Sequence, residues 1–495
     1  MNISMLLDMA AAGFGERLAV GPRAEALTYA ELRERAQRVA ARLAGEDDVR
    51  LVLAGVNSPA LPVLLFGSAY AGRRFSAVNY RLPDDRLRAA LATCAPAIVV
   101  ADESTAPRIA GVPGTELTDA DAIAAPLEGA AEAPGGDGDE VAITLLTSGT
   151  SGAPKTVLLR HRNLVSYIVG TTEMGAAGPD EAALVSVPPY HIAGLASVLS
   201  NVYIGRRIVY LPQFDAARWV ETAATEGITH AMVVPTMLAR ILDAMEASGT
   251  ELPDLRLLSY GGGRMPLPVV RRALARLPQV DFVNAYGLTE TSSTIALLGP
   301  EDHRAALGSE DPAVAARLGS VGRALPGVEV EIRDASGAVA APGEAGEIVV
   351  RGEQVSGEYE GRDVKDAEGW FHTNDSGWVD AAGYIFIEGR ADDVIVRGGE
   401  NLSPGEIEDT LLAHADVLEA AVVAVADEEW GESPAAVVVV RPEATVEAEE
   451  LRAWVRARLR SSRTPTVVEF RPSLPYSDTG KLLRRELRAE LNASR

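Results

Sequence analysis

Short apolar runs alternate with stretches of helical periodicity along most of the chain. Leu51-Val52-Leu53-Ala54 precedes an amphipathic stretch over 59–71, and Ala97-Ile98-Val99-Val100 follows a helical pattern over 83–93 that opens with Asp84-Asp85. Further on, Ile208-Val209-Tyr210, Met232-Val233-Val234 and Leu257-Leu258-Ser259-Tyr260 end at Pro or Gly turns, with helical patterns between them. This alternation predicts α/β layers around largely parallel sheets. A Gly/Pro/Ala/acidic stretch over 130–139 reads as an exposed connection. After about Val328 the texture changes: the runs 328–332, 346–351 and 384–388 are short strands divided by Gly/Asp turns, which predicts a β-rich subdomain. Gly389-Arg390-Ala391-Asp392-Asp393 then introduces a tail with strands over 420–425 and 435–441 and a helix over 446–459. The expected division is a large domain over 1–389 and a small α+β domain over 390–495.

A chain of 495 residues is too long for one simple core, which fits that division. The formal charge of −24 disfavours sequence-independent binding to nucleic acid or to an anionic membrane, because both rest on cationic patches. A polyanionic small molecule would have to be held by local donors instead. Cys94 is the only cysteine, so no intrachain disulfide is possible; its setting reads as a helix end packed in a core. The N-terminus has no basic segment followed by an apolar one, and no run approaches the ~20 apolar residues of a membrane span. A soluble, cytoplasmic protein is expected.

The 46 basic residues include only three lysines: Lys155, Lys365 and Lys481. Surface positions accept arginine freely, whereas a site that needs a compact ammonium on a flexible stem does not. Lys155 closes Thr147-Ser148-Gly149-Thr150-Ser151-Gly152-Ala153-Pro154-Lys155, directly after an apolar strand over 141–146; a helical pattern begins near Asn163. Glycines let such a loop turn N–H groups inward, hydroxyls add donors and the lysine adds charge, a combination suited to a polyphosphate. A Walker A loop is the nearest rival pattern. It fails at Pro154, which stands where the glycine before lysine belongs and cannot donate an N–H.

Several further segments occur in order. They are Pro189-Tyr190-His191-Ile192-Ala193-Gly194, Asn284-Ala285-Tyr286-Gly287-Leu288-Thr289-Glu290, Thr373-Asn374-Asp375, Gly389-Arg390-Ala391-Asp392-Asp393, Arg397-Gly398-Gly399-Glu400-Asn401, and Pro475 to Lys481. With the loop over 147–155, the chain resembles the adenylate-forming superfamily of acyl-CoA synthetases, nonribosomal peptide adenylation domains and luciferases. The resemblance covers nearly the whole chain. Its usual T-G-D reads Thr373-Asn374-Asp375 here, and Thr156 replaces the glycine common after the loop lysine.

The resemblance implies an ATP site built from Thr147, Ser148, Gly149, Thr150, Ser151, Gly152 and Lys155 at the phosphates. Asn284, Ala285, Tyr286, Gly287 and the backbone of Gly261-Gly262-Gly263 would surround the adenine, with Asp375 and Arg390 at the ribose. The glycine run reads equally as a strand-end turn, and Asp375 as a turn aspartate. Thr289 would donate to the α-phosphate, and Glu290 would ligate Mg²⁺, a hard cation that keeps several waters; its bland reading is a solvated surface acid. Lys481 would bridge the attacking carboxylate and the phosphoryl oxygens, lowering the barrier by positioning and charge. His191 reads either as a satisfied core residue or, in the family context, as a gate between an acid pocket and a thiol tunnel. The pocket is expected at Ile192, Ala193, Gly194, Val233, Pro235 and Thr291, mostly small or apolar, with Arg264 the one cation nearby. Asp392 would be the hinge of a mobile C-terminal domain that presents Gly398, Gly399 and Glu400 to the acceptor.

The implied enzyme is an AMP-forming acid–CoA ligase that takes ATP, Mg²⁺ and coenzyme A and binds neither nucleic acid nor membrane. A diazotase that activates nitrite towards an aromatic amine, known among relatives in secondary metabolism, would carry the same nucleotide motifs. A non-enzymatic ATP-binding sensor is the third reading, disfavoured by the retention of both lysines and Glu290.

Overall fold

The computed structural model describes residues 1–45, 48–126, 136–147, 155–390, 393–398, 400–442, 444–477 and 482–493. Two large sheets organise the first 390 residues. A nine-stranded sheet runs Arg323–Ala324, Ser293–Leu298, Asp281–Leu288, Leu257–Gly261, His230–Val233, Ala182–Val185, Arg207–Tyr210, Leu18–Val20 and Leu27–Thr28. Its central pairings are parallel, joined by helices such as Pro235–Ser248. An eight-stranded sheet runs Arg362–Asp363, Glu358–Tyr359, Lys155–Arg160, Val141–Thr147, Phe75–Ala77, Arg50–Ala54, Ala97–Ala101 and Thr115–Thr118.

The main core lies between these sheets. It draws Leu51, Leu53 and Leu145 from one, Val20, Val185 and Ile208 from the other, and Leu64, Phe66, Leu195 and Val202 from helices between them. The helix Ala60–Tyr70 is apolar on all sides because it is covered on all sides. By contrast the helix Tyr29–Leu43 is amphipathic and starts at a capping box, in which Thr28 Oγ1 accepts from the Glu31 N–H and the Glu31 carboxylate accepts from the Thr28 N–H.

The β-rich subdomain is a four-stranded antiparallel sheet of Val328–Arg333, Gly346–Gly352, Phe371–Val379 and Ile385–Arg390. The C-terminal part has its own sheet. There Gly431–Val440 pairs with Val417–Asp427, with Ile395–Arg397 and, in parallel, with Val467–Phe470, and the helices Pro404–Leu412, Ala448–Arg456 and Arg484–Ala493 pack around it. The layered α/β architecture, the β-rich subdomain and the small α+β C-terminal part are those the sequence predicts. Among the described residues no helix is long and apolar enough to cross a membrane. Cys94 is buried just past the helix Asp84–Ala92, and burial pushes its thiol up.

One element differs. The residues after the phosphate-type loop do not run directly towards a helix near Asn163. Lys155 heads the strand Lys155–Arg160, which folds back antiparallel on Val141–Thr147, and the helix begins at His161. Thr147 and Lys155 are facing partners at the end of this antiparallel pair.

Candidate active site

Three sheets meet around a few of the expected residues. The strand Asp281–Leu288 of the nine-stranded sheet carries Asn284 to Gly287 and ends in the tight turn Thr289–Thr291. Gly261 faces Ala285 across the neighbouring strand, where a Cβ would come 2.2 Å from the Ala285 carbonyl oxygen; only glycine fits that approach. At Gly287 a Cβ would meet the Ser293 carbonyl, beside a register shift between Tyr286 and Gly287. Ser292 and Ser293, which follow the turn, adopt φ of 58° and 115°, a conformation that non-glycine residues seldom take.

The four-stranded sheet adds Asp375 and Arg390, facing partners on adjacent strands. Tyr286 Oη donates to Asp375 Oδ2 at 2.6 Å, and Arg390 Nε lies 3.0 Å from Asp375 Oδ1. Arg390 also donates to the Thr373 carbonyl at 3.0 Å. Burial, then the Asp375 carboxylate, pushes the Tyr286 phenol well up, so it stays a donor. The residue before Asp375, Asn374, sits at φ 57° in the left-handed region, which asparagine tolerates better than most residues. The Thr-Asn-Asp variant thus preserves the turn.

From the eight-stranded sheet come Thr147, Lys155 and a residue the sequence did not flag, Tyr359. Thr147 Oγ1 donates to the Lys155 carbonyl at 3.3 Å. The Lys155 ammonium lies 5.2 Å from the centre of the Tyr359 ring, and Tyr359 Oη donates to Glu290 Oε1 at 2.7 Å. Burial and the neighbouring Glu290 push the Tyr359 phenol up. The Glu290 main chain is held too: its carbonyl accepts from the N–H groups of Ser356 and Gly357 at 2.9 and 3.1 Å. Thr289 is half-buried at the start of that turn.

His191 caps the helix Ile192–Ile204; its ring centre is 4.8 Å from that of Tyr190, which meets Tyr80 edge-on at 5.8 Å. Ala193 is half-buried, whereas Ile192 and Gly194 are buried. Pro235 opens the helix Pro235–Ser248 and lies 3.8 Å from where a Gly263 Cβ would be; Gly262 has φ of 77° and faces Val234. Two pocket expectations are corrected. Val233 is 0% exposed inside the second core. Thr291 is also 0% exposed, and its hydroxyl is used up by the Leu288 N–H and the Leu288 and Ser293 carbonyls. Neither presents surface to a ligand. Asn284 is likewise an anchor, donating to the Ser320 carbonyl at 3.0 Å. Asp375 is held by Tyr286 and Arg390. Arg264 pairs with Asp409 at 2.5 Å.

In the C-terminal part, Gly398 donates its N–H to the Trp430 carbonyl at 2.8 Å, and Glu400 pairs with Arg463 at 2.9 Å. Ser148, Gly149, Thr150, Ser151, Gly152, Asp392, Gly399 and Lys481 lie outside the described residues. The base of the Lys481 segment is described: Tyr476 bridges Leu482, Leu483 donates to the Pro475 carbonyl, and Arg484 grips the buried Glu408 carboxylate with both terminal nitrogens. Among the described residues no cluster of three or more His, Cys, Asp or Glu forms a preformed metal cage. Glu290 alone fits a cation that keeps most of its waters and is shared with phosphates, the habit of Mg²⁺.

The likeness to known proteins extends over the whole arrangement. The AMP-binding enzyme profile matches residues 7–360, and the AMP-binding enzyme C-terminal domain profile matches residues 406–481. Feruloyl-CoA synthase from Amycolatopsis sp is 34% identical over 479 residues, covering 94% of each chain. The o-succinylbenzoate coenzyme A synthetase of Bacillus subtilis in complex with ATP and magnesium ion is 27% identical, with a TM-score of 0.82 over 97% of this chain and 98% of that one. An amide bond synthetase from Marinactinospora thermotolerans is 28% identical, with a TM-score of 0.87 over 99% of both chains. Profiles that span both parts of the chain, and relatives alike from end to end, leave one assignment: the protein belongs to the AMP-binding enzyme family, the adenylate-forming acyl-CoA synthetases.

Proposed function

We propose that the protein activates a carboxylic acid with ATP and passes the acyl group to coenzyme A. The observation that carries this reading is the junction of three sheets that brings Lys155 and Glu290 together through Tyr359, and Tyr286 together with Asp375 and Arg390. Lys155, with the Ser/Thr/Gly segment that precedes it in sequence, binds the polyphosphate, and the Tyr286 face supports the adenine. Asp375 exchanges its Tyr286 and Arg390 partners, in part, for the ribose hydroxyls. Thr289 donates to the α-phosphate. Glu290 is the residue that would hold Mg²⁺, whose positive charge offsets that of the phosphates when bound.

In the first step a carboxylate oxygen attacks the α-phosphorus. The bond from that phosphorus to the α,β-bridging oxygen breaks, and pyrophosphate leaves with the electron pair. Lys481 stabilises the charge that grows on the phosphoryl oxygens. In the second step the thiol releases its proton to water, its sulfur attacks the acyl carbon, and the acyl C–O bond breaks so that AMP leaves with the electron pair. Gly398, Gly399 and Glu400 face the acceptor in that step after rotation about Asp392, with His191 as the gate. The domain division at Arg390 is part of the same reading. Ile192, Ala193, Gly194, Pro235 and Gly261 to Gly263 form a small, largely apolar wall. With Arg264 committed to Asp409, a neutral aromatic or aliphatic acid fits better than a dicarboxylate. An amine as the second acceptor is favoured by one observation, the end-to-end likeness to the amide bond synthetase.

Purified protein with Mg·ATP, offered a panel of aromatic and aliphatic acids, should release pyrophosphate in an acid-dependent way. Added coenzyme A should yield the thioester by mass spectrometry. Release driven by nitrite with an aminoarene, and by none of the acids, would overturn the reading; product formed with amines but not with the thiol would move the acceptor.

A further inference from the structure

We propose that Tyr359 is a positioning residue that holds Glu290 and Lys155 in the arrangement that binds Mg·ATP; the inference rests on the adenylation reading above. Tyr359 belongs to the two-residue strand Glu358–Tyr359 and faces Val157, two residues beyond Lys155 on the adjacent strand. Backbone pairing continues as the Glu360 N–H donates to the Thr156 carbonyl at 2.9 Å. The tyrosine is thus fixed to the same strand that carries the lysine, and its ring and hydroxyl face different partners. The ring face carries the Lys155 ammonium at 5.2 Å, within the range of a cation–π contact. The hydroxyl binds one oxygen of Glu290 at 2.7 Å.

Glu290 is therefore held at two points by one short segment. Its carbonyl takes the Ser356 and Gly357 N–H groups, and its carboxylate takes the Tyr359 hydroxyl. A carboxylate that is to ligate a hard cation gains from a fixed orientation, because a neighbouring hydrogen bond removes the rotamer freedom that metal binding would otherwise have to remove. With Oε1 engaged, Oε2 is the oxygen left to a cation. One side chain thus contacts the ammonium with its ring and the carboxylate with its hydroxyl. A phenylalanine keeps the ring and loses the hydroxyl; a leucine loses both.

The test is calorimetric titration of the full-length protein with ATP, once in Mg²⁺ and once in EDTA, so that binding is read without turnover. Tyr359→Phe should bind metal-free ATP as the wild type does, while the gain in affinity conferred by Mg²⁺ falls about tenfold. Tyr359→Leu should also bind metal-free ATP about threefold more weakly, through loss of the platform for Lys155. Melting temperatures should stay close to wild type, which separates positioning from a folding defect. A full Mg²⁺ gain in Tyr359→Phe overturns the inference. Glu290→Gln identifies which reading fails. If it loses the gain and Tyr359→Phe does not, the role of Tyr359 alone is wrong; if it keeps the gain, the metal assignment of Glu290 falls and takes this inference with it.

Discussion

Tyr286 Oη donates to Asp375 Oδ2 at 2.6 Å, and this one bond ties the nine-stranded sheet to the four-stranded one at the centre of the candidate site. Asp375 is buried and Tyr286 half-buried, and the Arg390 guanidinium 3.0 Å from Asp375 Oδ1 offsets the cost of burying the carboxylate. In the proposed ribose role, Asp375 would trade part of this pairing for the ribose hydroxyls. Asp375→Asn should raise the KM for ATP at least about tenfold, because an amide accepts more weakly than a carboxylate. The KM for 2′,3′-dideoxy-ATP should move little. Steady-state pyrophosphate release with the two nucleotides measures the contrast; equal losses for both would remove the ribose role.

Stability should fall on mild acidification. His161 is buried, its Nδ1 accepts from the Ile3 N–H at 3.3 Å, and burial, with the N-terminal ammonium as a lesser cause, lowers its pKa to about 4. A histidine lowered in the folded state is neutral there while the unfolded chain takes up its proton at about 6.5. Its contribution is therefore complete above about pH 6.5 and is lost progressively down to about pH 4, some ~3 kcal/mol in all. His230, also lowered to about 4 by burial and Arg206, adds in the same direction. Denaturant unfolding at pH 7 and pH 5 should show the drop, and His161→Asn should flatten the slope by about one proton.

The parallel strands were legible in sequence because buried strands are unbroken apolar runs, as at Leu51–Ala54 and Ile208–Tyr210. The family was legible too, because its motifs place particular residue types at fixed local spacing. Contacts made by register were not. Tyr359 sits in a strand of two residues between Gly357 and Gly361, too short for any periodicity, and reaches Glu290 only because the strand pairs beside Val157. The strand Lys155–Arg160 begins and ends on cations, so it does not resemble an apolar run. Val233 and Thr291 were misplaced for a related reason: small or apolar type does not say which face of an element a side chain occupies.

Lys365, the third lysine, also has a structural use. Its ammonium donates to the Ser356 carbonyl at 2.6 Å, and its stem crosses Gly357, the two residues whose N–H groups hold Glu290. A guanidinium is wider and flatter, so Lys365→Arg should disturb that segment even though charge is conserved. A loss of about 1 kcal/mol in unfolding free energy is expected, with a higher Mg²⁺ requirement for pyrophosphate release. Wild-type values in both measurements would make the retention of this lysine accidental.

Lys481→Ala should abolish adenylate formation and leave transfer from a supplied acyl-adenylate nearly intact, since only the first transition state needs its charge. Single-turnover assays of each half-reaction decide this. Equal loss of both steps in a folded variant would contradict the assignment.

The last prediction concerns how the C-terminal part is seated. Arg264, which follows the strand Leu257–Gly261, reaches Asp409 on the helix Pro404–Leu412 at 2.5 Å. Gly405 lies against the guanidinium, where a Cβ would come 2.4 Å from its central carbon. Asp409 Oδ1 is buried without a partner among the described residues, and burial raises the carboxyl despite Arg264. Arg264→Met should therefore strand a buried carboxylate and loosen this seating, accelerating proteolysis in the 390–393 connection about tenfold at pH 7.5. Protonation of Asp409 removes the stranded charge, so the deficit should shrink as the pH falls towards 5. Adding Asp409→Leu should restore most of the protection, because two apolar groups replace an ion pair with neither partner left alone. If Arg264→Met is cleaved at the wild-type rate throughout that pH range, the pair is incidental to domain seating. If the double variant is cleaved as fast as the single one, the loss comes from the shape of the guanidinium against Gly405 and not from its charge.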